Sequence, residues 1–127
     1  MQQYHMKRLA SNYAEDAFEM VRNNELDLGD FLALILYDDL HYKKICEKLT
    51  SYYEYEIRSS IEDFIISNAE YEGKNGLVKL EYEASFKSYK KKSNDEKKTR
   101  EETRYINISF TIDTDSKQII FWFPLFS

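Results

Sequence analysis

Proline, cysteine and tryptophan each occur once in 127 residues, histidine twice and glycine three times. Each shortage excludes something. Cys46 stands alone, so no intrachain disulfide forms, and its place in a helical pattern reads as a buried structural thiol. With His5 and His41 the only histidines, the sequence supplies too few ligands for a zinc site. It contains no Gly-rich elbow and no catalytic, metal or nucleotide motif, and it implies no cofactor. The longest apolar run, Phe31 to Tyr37, is far shorter than the roughly 20 residues that cross a bilayer. Met1 to Ala10 mixes Gln, His, Lys and Arg without the apolar core of a signal peptide. The expectation is a cytoplasmic protein with no catalysis of its own and no membrane attachment.

What is present points to one folded domain over 1–127. Hydrophobic residues make up 43% and aromatics 16%, which excludes general disorder. Eleven tyrosines and eight phenylalanines supply the aromatics, and tyrosine suits half-wet core edges and interfaces. Charge is unevenly spread. Residues 1–70 hold seven Lys and Arg against fourteen Asp and Glu; residues 71–127 hold eleven against nine. An acidic half repels nucleic acid and favours basic partners.

Residues 1–70 read as helices. Ala10, Ala14, Ala17, Phe18 and Val21 fall on one stripe of a first helix running from Gln3 or Met6 to Asn23. Asp27 or Asp30 caps a second helix that continues to about Leu49, apolar nearly all round at its start and therefore central. Over 50–67, Ser51 with Glu54 forms a capping box, and Ile57, Ile61, Phe64 and Ile65 follow helical spacing. The alternative there is a strand over 52–57 followed by a short helix.

The glycine-rich break Glu72–Gly76 marks the change of architecture, and residues 77–126 read as a sheet. Val78, Leu80, Tyr82, Ala84 and Phe86 alternate with polar residues, as do Ile106, Ile108, Phe110 and Ile112. Pairing Val78 with Ile112 and Leu80 with Phe110 matches the apolar faces and puts the hairpin tip near Asp95. A turn at Asp115-Ser116 then brings Ile119, Phe121 and Phe123 onto the same face, with Ile120 and Trp122 on the other. Pro124 ends pairing.

The expected fold is α+β, with two or three N-terminal helices packed on one face of a three-stranded antiparallel meander. With a strand at 52–57 the order becomes α-α-β-α-β-β-β, a layout similar to the cone-shaped nuclear-transport-factor-2-like fold, which encloses a pocket. That reading implies a small-ligand carrier or enzyme with Asp38 and His41 as acid–base residues.

In size, acidity and lack of catalytic motifs the chain resembles the immunity proteins of bacterial toxin systems, whose acidic faces cover the basic grooves of nucleases. The resemblance implies a basic protein partner, such as a toxin or nuclease domain, bound through Glu15, Asp16, Glu19, Asp38, Asp39, Tyr52, Glu54 and Glu56. The basic segment Lys87 to Arg104 also carries four acidic residues and reads as a solvated tip, so nucleic acid is not expected. The C-terminal strand is apolar on both faces, so either helices wrap it or Ile120 and Trp122 meet another chain. A homodimer through this strand, or a structural subunit assembled by it, is the further expectation.

Overall fold

The structure, a computed structural model, describes residues 6–54, 60–88 and 98–125. In chain order the elements are β1 (Arg8–Asn12), α1 (Glu15–Arg22), α2 (Leu28–Leu36), α3 (Asp39–Ser51), β2 (Ile65–Glu72), β3 (Asn75–Ser88), β4 (Lys98–Asp113) and β5 (Gln118–Trp122). The class is α+β, as the sequence implies. The sheet, however, has five antiparallel strands ordered β1-β5-β4-β3-β2 instead of three. The element order also differs from the cone-shaped layout.

The first added strand comes from residues expected to open the first helix. β1 pairs with β5 from Arg8↔Trp122 to Asn12↔Gln118 and buries Leu9. A strand as apolar as β5 needs its outer N–H and C=O groups paired, and this long-range ladder overrides the helix preference of Leu9-Ala10, because propensity is a small effect beside tertiary pairing. Of the anticipated apolar stripe, Phe18 and Val21 are buried in α1, and Ala14 only flanks its start.

The second added strand, β2, replaces the end of the expected third helix. Ser51 is the last residue of α3 and its hydroxyl donates to the Lys48 carbonyl at 2.6 Å, so it caps no new helix. Residues 60–64 form no helix, and three side-chain hydroxyls take up amides along this stretch. Ile61 N donates to Thr50 Oγ1 at 2.8 Å, Phe64 N to the Tyr42 hydroxyl at 3.2 Å, and Ile66 N to the Tyr37 hydroxyl at 3.3 Å. Amides satisfied across the fold no longer need a local helical turn. Tyr52–Glu54 form a turn, and the rest of the alternative strand at 52–57 lies outside the described residues.

The expected second helix divides in two. Asp27 caps α2 by accepting from Gly29 N at 2.9 Å, and Asp38 starts α3 by accepting from His41 N at 3.4 Å. A carboxylate that captures an amide of the next turn makes a helix start, and Asp38 does so directly after the apolar run Phe31 to Tyr37.

All three helices lie on one face of the sheet. Phe31, Leu32, Leu36, Ile45 and Leu49 are fully buried against Val78, Leu80, Ile108, Phe110, Ile112, Ile119 and Phe121. Each such side chain contributes roughly 1.5–3 kcal/mol by leaving water. The turn between β4 and β5 is centred on Asp115-Ser116, and Ile112↔Ile119 and Phe110↔Phe121 put the apolar residues where the sequence implies. Asp113 organises that turn by accepting from Asp115 N and Ser116 N at 3.0 and 3.3 Å.

The β3–β4 pairing keeps the anticipated face but shifts by four residues. Val78 meets Ile108, Leu80 meets Ile106, and Gly76 meets Phe110. The missing side chain at Gly76 makes room for the Phe110 ring, which this register sets opposite it. The expected tip at Asp95 lies outside the described residues. The glycine-rich break does not divide helices from sheet; it is the hairpin turn between β2 and β3, with Gly73 in the left-handed region at φ +64°.

Candidate partner-binding surface

The acidic residues of the first half cluster on the outside of the helical layer. Residues 13–54 carry ten Asp and Glu and four Lys and Arg. All ten carboxylate residues are exposed, whereas Lys48 is buried and its pKa is lowered by that burial. Large apolar side chains stand among them: Leu34 is 66% exposed, Leu40 59% and Met20 41%. In α2 the buried stripe Phe31, Leu32, Ile35, Leu36 faces the sheet, which leaves Leu34 on the opposite side with Asp30 and Asp38 at either end of the helix. Leu40 follows Asp38 and Asp39 in the first turn of α3.

A groove of about 240 Å³ separates α1 from the α2–α3 corner, lined among others by Ala14, Ala17, Phe31, Leu34, Asp38 and His41. Tyr13 holds the two walls together, with its ring edge-on to Phe18 at 5.4 Å and to Phe31 at 5.9 Å. Asp38 and His41 do meet here. The His41 Nδ1 lies 3.1 Å from the Ile35 carbonyl and 3.8 Å from Asp38 Oδ2. A bond to that carbonyl requires a proton on Nδ1, so the ring serves to close the end of α2. Among the described residues no group of three His, Cys, Asp or Glu converges as a metal site would need.

The sequence-derived partner residues fall into two regions. Glu15, Asp16 and Glu19 lie on α1, and Asp38 and Asp39 at the start of α3. Glu15 pairs with Lys117 at 3.2 Å and Glu19 with Arg22 at 3.4 Å, whereas Asp16 and Asp39 have no ion pair among the described residues. Asp39 and Lys43, at i, i+4 on α3, therefore make no ion pair. Tyr52 and Glu54 sit at the far end of α3, about 20 Å along its axis from Asp39. The Tyr52 hydroxyl donates to the Pro124 carbonyl at 2.6 Å, and burial pushes its pKa up to about 12, so Tyr52 fastens the chain after β5. Glu54 is exposed, and Glu56 lies outside the described residues.

A cleft of about 570 Å³ between α3 and residues 60–62 includes Tyr42, Cys46 and Thr50 in its lining. Burial first, then the nearby Asp63, Glu62 and Glu47 carboxylates, push the Cys46 thiol up to about 11. The thiol is neutral near pH 7 and poorly suited to nucleophilic attack. Tyr42 donates to Asp63 at 2.7 Å, and burial with this bond raises it to about 12.

Two of the basic residues expected at a solvated tip lie over aromatic rings, Arg104 half-buried and Arg100 exposed. Arg100 and Arg104 stand over the Phe86 ring at 5.1 Å, and Arg104 also over Tyr53 at 5.7 Å. Glu102 bridges both guanidiniums, and Arg104 above all holds its carboxyl below the usual range. The four-residue shift in register places this cluster, and period-two alternation alone did not reveal it.

The sheet's second face has no helix over it among the described residues. Trp122 is 41% exposed there and Ile120 is half-buried, while the outer edge of β5 is taken by β1. One row crosses all five strands on this face: Arg8, Trp122, Ser109, Leu77, Glu70.

Comparison with protein-family models, with curated proteins and with solved structures finds no match for this chain.

Proposed function

We propose that this protein is a non-catalytic binding protein that covers a basic surface of a protein partner with its helical layer, in the manner of an immunity-type inhibitor of a toxin or nuclease. The observation that carries the reading is the exposed pair Leu34 and Leu40 set among Asp30, Asp38 and Asp39 beside the acidic first turn of α1. Desolvated apolar anchors within a charged rim are how binding surfaces divide their work. The anchors slow dissociation and the rim speeds encounter with a partner of opposite sign. The groove beside them offers a place for a partner side chain, with the Asp38 carboxylate on its wall.

The test is affinity capture on the full chain, followed by kinetics with the captured protein. A basic protein should be recovered, with association fast at low salt and slower as the Debye length falls from ~30 Å at 0.01 M to ~8 Å at 0.15 M. Reversing Asp16, Asp38 and Asp39 to Lys should lower the association rate, and Leu34→Ser with Leu40→Ser should raise the dissociation rate. Recovery of nucleic acid or an acidic protein would overturn the reading, as would binding indifferent to all five substitutions.

A further inference from the structure

We propose that the sheet's open face is a self-association surface on which two copies of this chain stack about a two-fold axis running along β4. The argument rests on the row Arg8–Trp122–Ser109–Leu77–Glu70, one residue from each strand in spatial order. Ser109 is at its centre, on β4. Adjacent strands lie about 4.8 Å apart, so Arg8 and Glu70 stand roughly 19 Å from each other at the ends. A two-fold axis midway between the sheets, over Ser109 and close to the direction of β4, reverses the row. Arg8 of each copy then faces Glu70 of the other, Trp122 faces Leu77, and the small Ser109 faces itself. A two-fold across the strands would instead set Arg8 against Arg8 and Glu70 against Glu70. Charge therefore selects the first arrangement.

Shape agrees with charge. An open depression of about 690 Å³ lies on this face, and its lining includes Glu70, Glu72, Asn75, Leu77 and Ser109. That is where the operation delivers the partner's Trp122. The indole is 41% exposed, and its Nε1 donates to Thr111 Oγ1 at 3.4 Å, which fixes the ring over the sheet. Arg8 stands 5.9 Å from the ring centroid, positioned to continue toward a facing carboxylate. The next row gives the same answer: Ala10, Ile120, Thr111, Asn75 and Glu72 place small or hydroxyl side chains at the centre and apolar Ile120 over the depression. Stacked sheets pack about 10 Å apart with strands turned by about 30°, which the two-fold produces when its axis is inclined by about 15° to β4. That turn splays the two β3–β4 arms, carrying Glu83 and Glu101, away from each other.

The experiment is sedimentation equilibrium and tryptophan emission on the full chain over a wide concentration range. Trp122 is the only tryptophan, so emission reports this face alone. A reversible dimer is expected, with emission moving to the blue as it forms. Arg8→Glu and Glu70→Arg should each weaken the dimer about tenfold or more by placing like charges opposite one another. The double variant, in which every facing pair again has opposite signs, should recover most of the loss. Both residues are exposed, and unchanged thermal melts would show that the fold is intact. A monomer at all concentrations overturns the proposal. So does a dimer whose emission stays fixed, or one in which the two reversals fail to compensate.

Discussion

Gly76→Ala sets two physical effects of opposite sign against each other. Glycine inside a strand costs about 0.5–1 kcal/mol relative to alanine, so propensity alone makes the substitution stabilising. Packing says otherwise. A Cβ at this position would fall 2.6 Å from the Glu70 carbonyl oxygen and 2.7 Å from Phe110 Cε1, with Phe110 Cζ nearer still. Phe110 is 1% exposed and packs on Phe121 with ring centroids 5.9 Å apart, so its ring has little room to retreat. The Glu70 oxygen belongs to the backbone of β2 and moves only with the strand. Overpacking of this kind costs about 1–3 kcal/mol, more where backbone must shift. The net expectation is a loss of about 1–2 kcal/mol, which lowers the melting temperature by roughly 3–10 °C for a domain of this size. Thermal melts and urea titrations of both proteins measure it. Adding Phe110→Leu should return part of the loss, the coupling expected of residues in contact. A Gly76→Ala protein as stable as the parent, or more so, would refute the steric reasoning.

Tyr42 and Tyr52 titrate at about 12 when folded and near the ordinary 10.0 when unfolded, and Tyr13 is raised as well. The unfolded chain therefore loses these protons first, so the stability they contribute is complete below pH 10 and drains as pH rises toward 12. Lys48 acts the other way, because its lowered pKa makes stability rise as pH climbs toward 10.5. Tyrosinate absorbance with urea melts at each pH should show the tyrosine loss dominating above pH 10, and eleven tyrosines ionising together near pH 10 with stability unchanged would contradict it. Cys46, buried and raised to about 11, should react with a disulfide reagent far more slowly in the native protein than in denaturant, and equal rates would show the thiol to be accessible.

Much of the sheet was legible because alternation is a local signal. Val78 to Phe86 and Ile106 to Ile112 declare their faces without reference to anything else, and the turn at Asp115-Ser116 follows from its residues. What alternation leaves open is register. Any even shift preserves the faces, and the register adopted sets Phe110 opposite Gly76, which has no side chain to exclude its ring. The helical half was less legible for a related reason. Leu9-Ala10 and Ile61 to Ile66 carry apolar residues at spacings that suit a helix, yet amides within them are claimed from a distance, by β5 in one case and by Thr50, Tyr42 and Tyr37 in the other. The break at Asp38 is readable in principle, since an aspartate that caps looks the same in sequence as Asp27, one of the two capping candidates for the second helix.

The surfaces divide along the same line. Net charge survives folding, so the acidic outside of the helical layer could be anticipated from composition. Exposure of particular apolar side chains is a tertiary property. Leu34 falls in a helix start that reads as apolar nearly all round, and only the division into α2 and α3 against a single sheet face sets it and Leu40 outward. Trp122 is exposed because the helices cover one face of β5 alone, while β1 closes its edge. The helical surface and the open sheet face are thus opposite sides of one two-layer molecule. Stacking two copies through the sheet would leave both acidic layers turned outward, each with its own groove. The two proposals therefore make independent demands on the chain: charge reversal at Arg8 or Glu70 tests assembly without touching the partner surface, and reversal at Asp16, Asp38 and Asp39 tests the partner surface without touching the row on which assembly depends.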